Sequence, residues 1–202
     1  MPGSAMEARA VFLVGFMASG KSSVGKELAR RLGWEFVDLD TLIEARERQS
    51  VSEIFRSRGE AGFRLAESQA LRDLLAESLP SACHVPNLVV ALGGGAFIQE
   101  ENRELLRQWL SVFLEASASE LWQRSLTDGI ERPLRGDAEQ FARRYAERLP
   151  LYRHAKVTVV TSGKDLESVC AEIERKLQCW GTTENAELHP GSPKHLRTGE
   201  SH

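Results

Sequence analysis

At 202 residues, 42% of them hydrophobic and 27% charged, the chain can bury one sizeable domain, and this composition speaks against both general disorder and a membrane protein. A net charge of −3 gives no global attraction to nucleic acid, so an anionic ligand has to be held by local cations. Three cysteines, Cys83, Cys170 and Cys179, lack C-x-x-C spacing, and the five histidines form no metal-binding pattern, which excludes a disulfide framework and a zinc site as expectations.

Residues 1–9 carry no apolar signal core and no transit-peptide pattern, and no run reaches membrane-spanning length. A flexible N-terminus and a cytoplasmic protein with no membrane partner are expected. The apolar run 10–14 then reads as a strand. It leads into Gly15-Phe16-Met17-Ala18-Ser19-Gly20-Lys21-Ser22, which fits the phosphate-binding pattern G-x-x-x-x-G-K-S/T. Val24, Leu28 and Leu32 follow at helical spacing. Strand, glycine-bearing turn and helix together point the free N–H groups and positive end of the helix at a phosphate. Lys21 then reaches the β- and γ-phosphates, and the Ser22 hydroxyl serves Mg²⁺.

Gly33 ends the first helix, and 35–37 reads as a second strand terminating at Asp38-Leu39-Asp40. Strand alternation sends Asp38 and Asp40 the same way, on the edge where parallel sheets bind ligands. One of them can equally cap a helix beginning near Thr41. In a phosphate-binding protein, the pair shifts the balance toward metal and proton chemistry.

Two helices are predicted at 51–58 and 61–78, separated by Gly59. In the second, Arg64 and Glu67 are three apart on one side, and on their own they read as a solvated surface pair. Residues 81–87 read as a loop. The continuous apolar run 88–92 is a buried strand that runs into Gly93-Gly94-Gly95, where the backbone can approach a ligand closely or simply turn. A helix at 100–109, a strand at 112–114 and a helix at 119–126 follow. The polar stretch 127–137 holds Gly129, Arg132, Pro133, Arg135 and Gly136, and reads either as a lid or as an ordinary exposed loop. A helix at 138–149 is expected to stop before Pro150, with Arg148 in its last turn. The last strand is 157–160 and the closing helix 165–178. Residues 181–202, polar and with Pro190, Gly191 and Pro193, read as a disordered tail. The domain is therefore bounded at 10–180.

In order and approximate spacing, 15–22, Val37-Asp38-Leu39-Asp40, Phe63-Arg64 with Glu67, Gly93-Gly94-Gly95, Arg132-Pro133-Leu134 and Arg148-Leu149-Pro150-Leu151-Tyr152 resemble the shikimate kinase family over roughly residues 11–177. That resemblance implies an α/β, three-layer P-loop kinase fold with a five-stranded parallel sheet of order 2-3-1-4-5 and a lid segment. It implies transfer of the γ-phosphoryl group of ATP to the 3-hydroxyl of shikimate, with Mg²⁺, by a cytoplasmic monomer that binds neither nucleic acid nor membrane. Carried over by residue, Ala18, Ser19, Gly20, Lys21, Ser22 and Ser23 wrap the phosphates, and Ser22 and Asp38 serve the metal. Asp40 holds the substrate hydroxyls and acts as base or positions it. Arg64 and Arg148 grip the carboxylate, Gly93, Gly94 and Gly95 approach the substrate, and Arg132 reaches the ATP phosphates from the lid. Arg124 and Lys164 align approximately with the family's adenine contacts.

The family usually has glycine where this chain has Ala18. If the position needs positive φ, alanine costs roughly 1–2 kcal/mol. A related kinase acting on another polyol acid such as gluconate, and a catalytically silent nucleotide-binding module, are the alternatives. The joint presence of Lys21, Ser22, Asp40 and Arg132 argues against the silent module. The absence of Asn-Lys-x-Asp disfavours a guanine-nucleotide switch.

Overall fold

The computed structural model describes residues 10–78, 87–127 and 134–187. Five strands, β1 (Ala10–Val14), β2 (Glu35–Asp38), β3 (Leu88–Ala91), β4 (Leu110–Glu115) and β5 (Val157–Val160), form one sheet in the order β2-β3-β1-β4-β5. All pairings are parallel, with Phe12 opposite Val90 on one side and Ser111 on the other. Order and direction match the expectation.

Strand alternation divides the core in two. Phe12, Val14, Val90 and Phe113 face one layer, while Val11, Leu13, Val89, Val112 and Leu114 face the other. The second layer is closed by α1 (Lys21–Leu32), through Val24 and Leu28, and by α7 (Leu166–Glu187), through Val169 and Ile173. The first is covered by α2 (Leu39–Glu47), α3 (Val51–Ser78), α5 (Ala118–Thr127) and α6 (Ala138–Tyr152), with a short α4 (Glu100–Leu105) beyond a 3-10 turn at Ala96–Ile98. Both faces of β1 are fully buried, which is why it reads as an unbroken apolar run.

Several element ends differ from the sequence-based expectation. α2 starts at Leu39 rather than near Thr41, because Asp38 caps it by accepting from the Asp40 N–H at 3.1 Å. Asp40 therefore sits in the first helical turn and not at a strand end. α3 runs continuously through Gly59, yet at φ 68°, ψ −176° that residue is not helical, so the two expected helices meet there at a kink. α6 continues through Pro150 to Tyr152. This proline lies in the last turn, where its missing N–H forfeits only the bond to the Ala146 carbonyl. α4 is shorter than expected, and α7 extends to Glu187, past the boundary placed at 180. The expected loop at 81–87 lies outside the described residues apart from Asn87, as do Cys83 and residues 188–202. Cys170 is buried and Cys179 exposed, and neither is in a disulfide. Among the described residues, no helix is long and apolar enough to cross a membrane.

Candidate active site

The loop from β1 to α1 lies at the carboxyl edge of the central strand, where open α/β sheets bind ligands. Gly20 precedes α1 with no side chain capping it, so the first N–H groups of a twelve-residue helix face the loop. Lys21 folds back across the loop and donates from Nζ to the Gly15 and Phe16 carbonyls, each at 2.9 Å. Ala18 sits at φ 59°, in the left-handed region, so the strain anticipated for this position is present.

The acidic pair divides its work. One Asp38 oxygen caps α2, and the other accepts from the Ser22 hydroxyl at 2.6 Å. The capping reading therefore holds for Asp38, which is at the same time a partner of the phosphate-loop serine. The Asp40 side chain turns toward β3, where Oδ1 would lie 2.6 Å, and Glu67 Oε1 2.4 Å, from a Cβ on Gly93. Only glycine leaves room for both carboxylates. Neither oxygen has a hydrogen-bond partner among the described residues. Burial, reinforced by the nearby Asp38 carboxylate, pushes Asp40 up to about 6 against the opposing pull of Lys21 and Arg64. Burial likewise raises Glu67 to about 7, although Arg64 favours its charged form.

The expected surface pair, Arg64 and Glu67, is not on the surface. Glu67 is fully buried and accepts from Arg64 Nη1 at 2.8 Å, because the kink at Gly59 swings this part of α3 against the triglycine turn. Gln99 donates to the same Glu67 oxygen at 3.2 Å and accepts from the Ser68 hydroxyl at 3.3 Å. The Arg64 guanidinium lies flat against Gly95, where a Cβ would stand 2.1 Å from Cζ. From α6, Arg148 reaches the Gly94 carbonyl at 3.4 Å instead of merely complementing its helix end. The Tyr152 hydroxyl also donates to Gly94 O, and burial pushes that phenol up to about 12, keeping it a donor.

One cleft of about 650 Å³ unites these groups. Ala18, Ser19, Gly20, Lys21, Ser22 and Ser23 line it with Asp38 and Asp40, as do Arg64, Gly94, Gly95 and Arg148. Gly93 lies behind the two carboxylates and does not line it. Arg124 lines the cleft, whereas Lys164 pairs with Glu172 at 2.6 Å. Arg132, with Gly129 and Pro133 of the expected lid, lies outside the described residues. Sequence reasoning missed Gln99, the anchoring role of Tyr152, and Glu60, whose Oε1 lies 3.1 Å from Arg64 Nη2. Gln99 belongs to no spacing pattern, Tyr152 stood in the segment 148–152 without a role of its own, and only the neighbouring Gly59 marked the part of the chain that holds Glu60.

A family model for shikimate kinase matches residues 17–178. A shikimate kinase from Geobacter metallireducens is 42% identical over 174 residues, covering 84% of this chain and 92% of that protein. Among solved structures, shikimate kinase from Acinetobacter baumannii in complex with shikimate gives a TM-score of 0.76 at 34% identity, over 87% of this chain and 95% of that one. A gluconokinase from Sinorhizobium meliloti 1021 shares the fold with a TM-score of 0.60, over 89% of this chain and 97% of that one, but at 20% identity the likeness extends to the fold alone.

Proposed function

We propose how this chain, which belongs to the shikimate kinase family and is an ATP-dependent kinase phosphorylating a hydroxyl of shikimate, divides that reaction among its residues. The acceptor oxygen is the 3-hydroxyl, and its proton passes to Asp40. Burial makes that carboxylate more basic than an ordinary one, yet at a value of about 6 it is still mostly ionised at pH 7. As the new O–P bond forms, the bond from the γ-phosphorus to the bridging oxygen of ADP breaks. Lys21 and the N–H groups at the start of α1 stabilise the charge that develops on the phosphates. Arg132 assists from the segment preceding Leu134.

Ser22 Oγ and Asp38 Oδ2 are hard oxygen donors in direct contact beside the phosphate loop, a pairing that suits Mg²⁺ held by few protein groups together with substrate phosphates. When bound, the ion supplies charge neutralisation at the β- and γ-phosphates. Arg64 and Arg148 bind the acceptor's carboxylate together, each through the guanidinium nitrogen Nη2, while Nη1 is held by Glu67 in one and by the Gly94 carbonyl in the other. Glu67 and Gln99 hold Arg64 in place. The working unit is a single chain: the large apolar side chains exposed among the described residues, Leu65, Leu126, Val160 and Leu166, belong to four different elements.

The observation that carries this assignment is the meeting of phosphate loop, Asp40 and two arginines from separate helices in one cleft. Its test is a split in kinetic constants. Arg64→Ala and Arg148→Ala should each raise KM for shikimate at least about 30-fold, following the ~2 kcal/mol lower bound for truncating a buried charged partner, with KM for ATP little changed. Lys21→Ala should instead lower kcat by about 100-fold or more. Arginine variants that weakened both substrates equally would contradict the assignment.

A further inference from the structure

Arg64 and Arg148 come from α3 and α6, yet they turn one guanidinium nitrogen each toward the same atom. Glu60 Oε1 stands 3.1 Å from Arg64 Nη2 and 3.8 Å from Arg148 Nη2. The arginine side chains are only 14% and 11% exposed, whereas that of Glu60 is 47% exposed. An exposed carboxylate thus reaches back onto two largely buried cations.

The rest of Arg64 is already committed. Nη1 is held by buried Glu67 at 2.8 Å, and the flat of the guanidinium lies against Gly95. Arg148 is tied through Nη1 to the Gly94 carbonyl. In both residues Nη2 is the nitrogen directed at Glu60. A bridging carboxylate is the group that this pair of nitrogens is arranged to take, and Glu60 presents one.

Glu60 also directly follows the kink in α3. Gly59 adopts φ 68° and ψ −176°, and a Cβ added to it would meet nothing within 4 Å, so this point in the helix is loosely packed as well as non-helical. Glu60 is thus the first residue of the segment that carries Arg64 and Glu67, and its half-exposed side chain can rotate toward solvent without disturbing buried Glu67. An ordinary exposed i,i+4 ion pair would account for the contact with Arg64. It does not account for the Arg148 contact, made from another helix.

We propose that Glu60 is an internal competitor for the acceptor's carboxylate: it bridges Arg64 and Arg148, and its side chain must swing away before the acid can be gripped. This inference rests on the reading that those two arginines bind the acceptor's carboxylate. The apparent affinity for the acceptor is then the intrinsic affinity reduced by the fraction of molecules in which Glu60 is withdrawn. Glu60 consequently tunes selectivity. An acid able to offer both arginines a full negative charge displaces it, and a neutral acceptor does not.

The test is Glu60→Gln, which removes the charge and keeps the size, together with Glu60→Ala. Each should lower KM and Kd for shikimate about three- to tenfold, the range given by releasing one or two partly exposed ion pairs, while KM for ATP stays within about twofold. The methyl ester of shikimate, lacking the charge, should bind wild type and Glu60→Gln alike. An unchanged or raised KM for shikimate would overturn the proposal, a rise meaning that Glu60 orients the arginines. Failure of the underlying reading has a separate signature: Arg64→Ala and Arg148→Ala would then leave KM for shikimate unchanged.

Discussion

Ala18 occupies the left-handed region at φ 59° in the middle of the phosphate loop, where L-residues are strained relative to glycine. Such strain persists only when its surroundings enforce it. Here the loop is closed by Lys21 bonding back to the Gly15 and Phe16 carbonyls. Ala18→Gly should therefore raise stability by roughly 1 kcal/mol in denaturant unfolding, the left-handed penalty partly offset by glycine's greater freedom when unfolded. An equal or larger loss would show that the loop does not enforce this conformation. At this scale the sequence was informative wherever a residue's role is local. The phosphate loop is legible from eight consecutive residues, whereas the strain at Ala18 was anticipated through the resemblance to a family that usually has glycine there. Asp38 and Asp40 were found together through strand alternation, although the helix cap at Asp38 is what orients them. Glu67 was misread, since nothing in three-residue spacing tells which side of a helix faces a sheet edge.

Element boundaries failed where tertiary contacts outweigh local signals. Pro150 is a stop signal in sequence, yet α6 runs past it to bring the Tyr152 hydroxyl to Gly94. Gly59 was read correctly as a break, but its consequence, the turning of Arg64 into the cleft with Glu67 buried behind it, emerges only when α3 packs against the triglycine turn. That packing leaves a carboxyl fully buried and raised to about 7 from an ordinary 4.5. Below about pH 4.5 the group is protonated both folded and unfolded and costs nothing. Between about 4.5 and 7 only the unfolded chain ionises, so stability falls as pH rises, and above 7 the loss is constant at roughly 3 kcal/mol. The difference in unfolding free energy between Glu67→Gln and wild type should accordingly shift in favour of the variant from pH 5 to 7 and then level off. A difference independent of pH would mean that Glu67 is ionised throughout. Any constant offset from weakening the Arg64 contact does not affect this slope.

Across the whole molecule, the parallel sheet places the ends of β1, β2 and β3 side by side, so the phosphate loop, the acidic pair and the triglycine turn meet although they are far apart in the chain. In sequence these three suggested the family only together with Phe63-Arg64 and Glu67, Arg132-Pro133-Leu134 and the segment 148–152, in order and approximate spacing. The contribution of α6 was less visible: Arg148 joins the site only through long-range packing, and in sequence it is indistinguishable from a cation at a helix end. Glu60 is less visible still, since a competitor for a ligand carries no motif of its own. The central claim, that this cleft moves the γ-phosphoryl group of ATP onto shikimate, is tested most directly by ADP release from the full chain with ATP and Mg²⁺ as the acceptor is varied. Saturable release that depends on shikimate, with phosphate on the 3-hydroxyl by NMR and kcat/KM at least about 100-fold above that for gluconate, is the expected result. No shikimate-dependent release, or faster turnover of gluconate, would contradict it.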